Sequence, residues 1–184
     1  MREQVRFDDC QFPVDFFEKI NVKNLCVERI EDENLFVCFL AKSTGLTTLD
    51  FQNGCLSQKI LDQLHIACGR SLKYLKIMSN CNSGPELDYK SVLCKMPHLF
   101  RISLERLRKI DFKLVLNVLQ HYRYSIEIYL KFSDSSIFKL VKWDGKHYRL
   151  WYKPKKAGEP SLDMEDITIE QVKAFLKDFI QTSP

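Results

Sequence analysis

The residues of this 184-residue chain best suited to chemistry are tyrosines, arginines and lysines that alternate with apolar residues. Tyr74 and Lys76 flank Leu75 in this way, so in a strand both side chains would lie on one face of the sheet. Because tyrosine and arginine are enriched at the energetic centres of protein interfaces, the chemistry predicted is non-covalent recognition. Polar residues that simply face water on a sheet are the alternative explanation. The predicted partner-binding row consists of Thr48, Asp50, Tyr74, Lys76, Arg101, Ser103, Glu127 and Tyr129, preceded by Asn24 and Cys26.

A second candidate surface is a lysine-rich segment that follows a run of aromatic residues. Its basic members are Lys153, Lys155 and Lys156, and the aromatic run before them includes Trp151 and Tyr152. Since lysines neutralise phosphates and aromatic rings stack on bases, this segment is a candidate nucleic-acid-binding site. A solvated loop beside a packed hairpin explains the same residues.

Residues for catalysis or metal binding do not form a recognisable motif. The four histidines, at positions 65, 98, 121 and 147, lie far apart along the chain, unlike the clustered ligands of a typical metal site. Neither a glycine-rich phosphate loop nor a GxSxG motif occurs. The sequence therefore predicts no enzyme activity, no cofactor and no metal.

The cysteines and the hydropathy pattern indicate the compartment. Seven cysteines are scattered singly, with no CxxC pair, which favours buried thiols in a reduced environment over a disulfide framework. No apolar run approaches the ~18 residues that a bilayer span needs, and the first residues do not resemble a signal peptide. We expect a cytoplasmic or nuclear protein with no membrane association.

The elements that would position these residues follow from a repeated apolar pattern. From the first residue of each apolar pair to the next, the steps are 20, 24, 26, 27 and 26 residues. This period is typical of leucine-rich repeats, in which each unit is one strand and one helix. Strands connected by helices pair in parallel, with the helices on one face. The pairs are Val5/Phe7, Leu25/Val27, Leu49/Phe51, Leu75/Ile77, Ile102/Leu104 and Ile128/Leu130.

Helical periodicity occurs between these strands, as the repeats require. Asp32 to Lys42 has an apolar stripe that we expect to end at Gly45, and Leu56 to Cys68 is expected to end at Gly69. Two further helices are predicted over residues 85–96 and 111–121. The stripe on one face of each would cover the sheet.

The pattern changes after residue 133. Two strand-like runs, 137–143 and 146–152, flank Asp144-Gly145, which is a strong hairpin signal. A polar loop follows over residues 153–160, and Thr168 with Gln171 forms a capping-box pattern that opens a helix through Ile180. We divide the single structural domain into a solenoid at 1–133 and a hairpin-helix cap at 134–184.

The N-terminal end of the predicted solenoid has no covering element. The pair Val5 and Phe7 already belongs to the repeat pattern, whereas terminal repeats normally carry a polar cover. We expect this edge to be covered by sequence outside the chain, by a partner, or by a second copy.

Two parts of the chain resemble known families. Leu72 to Asn80 fits LxxLxLxxN, and with Cys10, Cys55 and Cys81 the repeats resemble the cysteine-containing leucine-rich repeats of F-box proteins. The segments 138–151 and 166–184 are similar to the FTH-type domains that follow the F-box in nematode F-box families. The resemblance implies a substrate-recruiting module of a cullin-type ubiquitin ligase, although no full F-box is recognisable before Val22.

Together these observations predict an α/β leucine-rich-repeat solenoid of the ribonuclease-inhibitor type, with a parallel sheet. The expected function is a non-enzymatic protein-interaction module, an adaptor that recruits a partner through the concave sheet. Residues 61–134 carry a net charge of +5, against −3 for residues 1–60. The alternative is therefore an RNA-binding adaptor that uses this basic middle segment and the lysine-rich segment.

Overall fold

The chain forms an α/β domain built on one mixed sheet. A computed structural model describes residues 3–4, 22–28, 30, 32–52, 57–78, 95–107, 119–120, 122, 125–132, 135–143, 147–155 and 160–182. Within these ranges the strands are β1 Glu3–Gln4, β2 Asn24–Val27, β3 Thr48–Phe51, β4 Tyr74–Met78, β5 Arg101–Leu107, β6 Ile126–Phe132, β7 Ile137–Trp143, β8 His147–Lys153 and β9 Leu162–Ile167. The helices are α1 Glu33–Lys42, α2 Gln58–Cys68 and α3 Ile169–Thr182.

The nine strands lie in the sheet in the order in which they occur along the chain. β1 to β6 are all parallel, and the leading apolar residues Leu25, Leu49, Leu75, Ile102 and Ile128 stand directly opposite one another. The predicted parallel pairing and its register are therefore confirmed for β2 to β6.

The first strand is placed differently from the prediction. Glu3 lies opposite Leu25 in β1, whereas the repeat spacing put Val5 there. Val5 and Phe7 themselves lie outside the described residues. The 20-residue step from Val5 to Leu25 is shorter than the other steps, so it was the weakest member of the repeat pattern.

The helices pack against one face of the sheet. Alternate residues of β2, β3 and β4 are buried there, together with Phe36 and Leu40 of α1 and Leu61 and Leu64 of α2. α3 covers the C-terminal strands with Val172, Leu176 and other side chains, and all of these residues belong to one apolar cluster. Removal of this apolar surface from water provides the main stabilisation of the fold.

Local sequence sets the helix boundaries. Asp32 and Ser57 cap α1 and α2 by accepting the backbone N–H of the residue three positions later, at 3.0 and 3.2 Å. α1 ends at Lys42, the predicted last residue, where the Ser43 N–H turns back to Leu40 O at 2.9 Å before Gly45 is reached. α2 does end at Gly69, where a Cβ would collide with the His65 carbonyl oxygen.

The loops that precede the strands are bonded to one another from repeat to repeat. The N–H groups of Thr47 and Thr48 both donate to Lys23 O, at 2.8 and 3.0 Å. The same fork recurs from Lys73 and Tyr74 to Thr47 O, at 2.8 and 3.1 Å. Each repeat therefore satisfies backbone groups of the one before it.

The C-terminal part contains the predicted hairpin and one strand that was not predicted. β7 and β8 pair antiparallel, with Trp143 opposite His147, and the Asp144-Gly145 turn lies outside the described residues. β9 pairs antiparallel with β8 in a segment without a predicted element. α3 ends at Thr182, two residues beyond the prediction.

The capping box that opens α3 is confirmed. The Thr168 N–H donates to Gln171 Oε1 at 2.8 Å, and the Gln171 N–H donates to Thr168 Oγ1 at 3.3 Å. Most of the predicted helices at 85–96 and 111–121 lie outside the described residues, as do Asn80 and the cysteines at 10, 55, 81 and 94. None of the described helices has both the length and the apolar character that a bilayer crossing requires.

Candidate functional site

The predicted partner-binding row lines a single groove on the sheet face opposite α1 and α2. The groove has a volume of about 780 Å³ and extends across β2 to β6. Strand geometry explains its composition, because residues that alternate with the buried leucines must point away from the helices. The groove is lined by all eight residues of the predicted row, Thr48, Asp50, Tyr74, Lys76, Arg101, Ser103, Glu127 and Tyr129, and by Asn24, Cys26, Gln52 and Glu105.

A lysine bridges two acidic side chains in the middle of the groove. Lys76 Nζ lies 3.6 Å from Asp50 Oδ2 on β3 and 3.3 Å from Glu105 Oε1 on β5. Asp50 is directly opposite Lys76, whereas Glu105 is two positions beyond Ser103, the residue opposite Lys76 on β5. The long lysine side chain reaches both the direct and the diagonal neighbour. One ammonium between two carboxylates leaves this part of the groove with a net negative charge.

The Asp50 carboxylate also accepts a hydrogen bond from a second side chain. Gln52 Nε2 donates to Asp50 Oδ2 at 3.1 Å and also lies 3.3 Å from Cys26 Sγ. Asp50 Oδ1 is buried and has no hydrogen-bond partner among the described residues. A carboxylate with an unsatisfied oxygen is an uncommon feature, because a buried acceptor without a donor destabilises the fold.

A second cluster of charged side chains, around Glu127, has a net charge of the opposite sign. Glu127 Oε1 lies 2.8 Å from Arg101 Nε, and Glu127 Oε2 lies 3.3 Å from Lys139 Nζ on β7. The carboxylate is largely buried, whereas the side chains of both basic residues are more than a third exposed. Two cations around one anion give this end of the groove a net positive charge.

Exposed aromatic rings stand beside this positive cluster. Tyr74 and Phe100 are 40% and 47% exposed, and their rings meet edge-on with centroids 6.0 Å apart. The Arg101 guanidinium lies 6.0 Å from the Tyr74 ring, near the limit of a cation–π contact. Rigid rings next to an arginine are typical of the central residues of protein interfaces.

Tyr129 is the other tyrosine of the groove. Burial raises the pKa of its phenol, the negative charge of Glu105 raises that pKa further, and Lys76 opposes the change. The phenol therefore remains protonated at neutral pH and can donate a hydrogen bond. The groove thus offers a hydrogen-bond donor and aromatic surface to an incoming ligand.

Three residues of the site were not predicted. Glu105 continues the alternation of Arg101 and Ser103, and Gln52 continues that of Thr48 and Asp50. The predicted row includes only two outward-facing residues of each strand, so it omits both. Lys139 alternates with buried residues of β7, but its contact with Glu127 depends on the antiparallel pairing of β6 and β7.

The lysine-rich segment lies apart from the start of the parallel strands. Lys153 pairs with Ile137, which in turn pairs with Lys131 near the end of β6. Lys153 and Lys155 are exposed, and Lys156 lies outside the described residues. Several basic residues of the predicted middle segment, among them Lys90, Arg108 and Lys113, lie outside the described residues.

Metal-ligand chemistry is not assembled in the described part of the chain. His65 lies three residues from both Asp62 and Cys68 on α2, but the Cys68 thiol is buried and donates to Ser43 O at 3.1 Å. No group of three potential ligand side chains forms among the described residues.

Comparison of the chain with protein-family models, with curated proteins and with solved structures finds no match.

Proposed function

We propose that this chain is a leucine-rich-repeat solenoid that binds a protein partner non-covalently through the groove on its open sheet face. The observation that supports the proposal most directly is that one groove collects all eight residues of the predicted row. Repeat proteins present extended surfaces of this kind, formed by side chains from successive units. The spacing of the repeats and the matching strand register support the solenoid assignment.

The composition of the groove favours recognition of a folded or extended polypeptide. Its lining combines two clusters of opposite net charge with the exposed ring of Tyr74. Complementary charges fix the register of a partner, and aromatic anchors supply most of the affinity. We further propose that the module is an adaptor of the F-box-associated type, acting in the cytoplasm or nucleus without an enzymatic activity of its own.

The test is affinity purification with a variant that removes the exposed part of the groove. The triple variant Tyr74→Ala, Arg101→Ala and Tyr129→Ala should abolish recovery of the specific partner while changing the melting temperature little. A matched triple variant on the helix side, Ile66→Ala, Lys59→Ala and Lys177→Ala, should retain the partner, because these residues lie far from the groove.

The outcomes separate the parts of the proposal. Partner recovery that survives the groove variant would place the binding site elsewhere on the molecule. Recovery of ubiquitin-ligase subunits together with the partner would support the adaptor function, whereas a partner recovered without them would leave a binding module of another pathway.

A further inference from the structure

The edge of the sheet where β2 to β5 begin carries basic side chains and no acidic ones, and Glu127 of the adjacent β6 pairs with Arg101. This edge is where the parallel strands begin and where α1 and α2 end, and it comprises residues 22–24, 41–48, 66–74 and 95–101. These four stretches contain no aspartate or glutamate. Their basic residues, here named the basic edge, are Lys23, Lys42, Arg70, Lys73, Lys95 and Arg101, and all six are exposed.

Backbone hydrogen bonds place the members of the basic edge side by side. Thr47 N donates to Lys23 O, Lys73 N donates to Thr47 O, and Phe100 N donates to Lys73 O, each at 2.8 Å. These residues therefore occupy equivalent positions in successive repeats. With about 4.8 Å between neighbouring strands, Lys23 and Lys73 start about 10 Å apart along the edge.

The opposite edge, where the strands end and α1 begins, carries charges of both signs, with Lys59 and Lys131 beside several acidic residues. Glu28 follows β2, Asp32 and Glu33 begin α1, and Glu105 lies near the end of β5. Helix dipoles explain part of the charge of the basic edge, because Lys42 and Arg70 lie at helix C-termini. They do not explain Lys23 and Lys73, which lie in loops before strands.

The electrostatic environment of a nearby histidine agrees with this charge distribution. The pKa of His65, in the last turn of α2, is lowered first by burial and then by the positive charge of Lys95, and Asp62 opposes the change only in part. None of Lys23, Arg70, Lys73 and Lys95 forms an ion pair within the part of the chain that the structure describes. Their charges are therefore available to a ligand.

An exposed aromatic ring lies within the basic edge. Phe100 is 47% exposed. Its backbone N–H donates to Lys73 O, so it lies beside Lys73 at the start of the next strand. One side of the ring packs edge-on against Tyr74, and the remainder is exposed to solvent. The exposed part provides a flat surface on which a base can stack.

We propose that the basic edge binds single-stranded nucleic acid, with phosphates against Lys23, Lys73 and Lys95 and a base stacked on Phe100. The proposed contact residues Lys23, Lys73, Lys95 and Phe100 lie outside the groove lining, which includes only Arg101 of the basic edge. The proposal therefore goes beyond the protein-binding function proposed above and does not depend on it. An acidic polypeptide would also satisfy the lysines, but it would gain nothing specific from the exposed ring. The ring therefore favours nucleic acid.

The test measures binding of a fluorescein-labelled 12-nucleotide oligouridylate by fluorescence anisotropy at several salt concentrations. Each phosphate neutralised on a single strand contributes about −0.7 to the slope of log affinity against log salt. The variant Lys23→Gln with Lys73→Gln should weaken binding and make the slope less steep by about 1.4. Phe100→Ser should weaken binding about tenfold and leave the slope unchanged, because stacking releases no counterions.

A matched control carries the same loss of charge at another place. Lys59→Gln with Lys177→Gln, at the start of α2 and on α3, should bind like the unmodified chain. Equal weakening by this control would show attraction to net charge alone and would overturn the proposal. So would absence of binding at low salt, equal affinity for a labelled twelve-residue glutamate peptide, or unchanged affinity of a folded Phe100→Ser variant. Should Phe100→Ser fail to fold, the slope of the lysine variant decides.

Discussion

At the scale of single residues, Lys142 is the most unusual side chain in the described part of the molecule. It belongs to β7, is 4% exposed, and its ammonium donates to Leu119 O and Tyr122 O, both at 2.7 Å. Buried lysines are rare because desolvation of the charge is costly unless the donors find acceptors. Here the ammonium binds two backbone carbonyls of the segment that precedes β6.

Lys142→Met should therefore lower the free energy of unfolding by about 2 kcal/mol, because two buried carbonyls lose a charged donor. Urea denaturation monitored by circular dichroism measures the change. Lys139→Met is the matched control on the same strand. Its ion pair with Glu127 is partly exposed, so its loss should cost less than about 1 kcal/mol. Equal losses in the two variants would contradict this role of Lys142.

Cys68 makes a second prediction at this scale, which concerns its reactivity. Burial raises the pKa of its thiol to about 12, and the thiolate is the reactive form. In the folded protein Cys68 should react with iodoacetamide on the order of a hundred times more slowly than exposed Cys38 at pH 8. Its thiolate fraction, and hence its rate, should rise about tenfold per pH unit until the pH nears that pKa.

Peptide mapping by mass spectrometry follows each cysteine separately in the same sample. Denaturation in urea should bring the two rates together, because unfolding removes the burial that protects Cys68. Rapid labelling of Cys68 in the folded chain would show that α2 opens readily at its C-terminal end.

At the scale of elements, α3 depends on its N-terminal cap. Thr168→Ala removes the hydroxyl that accepts the Gln171 N–H, and it should cost about 1 kcal/mol of stability. Thermal or urea unfolding measures the loss. Ser161→Ala, an exposed site just before β9, is the control and should change stability by less than about 0.5 kcal/mol. A cost of zero at Thr168 would show that packing of α3 alone fixes its start.

Elements with strong periodic signals could be predicted from the sequence, and those with mixed signals could not. Leucine spacing predicted the register of β2 to β6 because only one alternation buries the apolar residues. β9 was missed because Asp163, Glu165 and Asp166 hide the alternation of Leu162 with Met164. The end of α1 at Lys42 was predicted, but the stop comes from the side-chain and backbone hydrogen bonds of Ser43 and not from Gly45.

The residues of the candidate groove also divide into those that the sequence predicts and those that it does not. Residues that alternate within a strand could be assigned to it from the repeat pattern alone. Lys139 could not, because its place beside Glu127 depends on the antiparallel pairing across the β6–β7 connection. The spacing of the apolar pattern predicts which residues of neighbouring strands lie together. Contacts at the end of the pattern depend instead on the structure that caps it.

At the scale of the whole molecule, parallel register determines where charge accumulates. Every strand of the repeat part begins at one edge, so equivalent positions of successive repeats are brought side by side. Lys23 and Lys73 are far apart in sequence but belong to one row for this reason. The groove, in contrast, draws on positions within the strands, where charges of both signs alternate. The two proposed surfaces therefore differ in charge although the same strands carry them.

The repeat part and the C-terminal part share one apolar core, and this predicts a single cooperative unfolding transition. Both tryptophans, Trp143 and Trp151, lie in the C-terminal hairpin, so fluorescence reports on that part. Two of the described helices, α1 and α2, lie in the repeat part and contribute strongly to circular dichroism. The urea midpoints of the two signals should coincide.

Core substitutions in either part provide a second test of cooperative unfolding. Leu140→Ala in β7 and Leu64→Ala in α2 each remove a fully buried side chain, and each should cost about 2–5 kcal/mol. If the core is one unit, each variant lowers both midpoints by the same amount. Because β7 pairs with β6 and Lys142 binds carbonyls that precede β6, loss of the hairpin must also destabilise the strands before it. A variant that shifts only the signal of its own part would show that the repeats fold without the C-terminal strands.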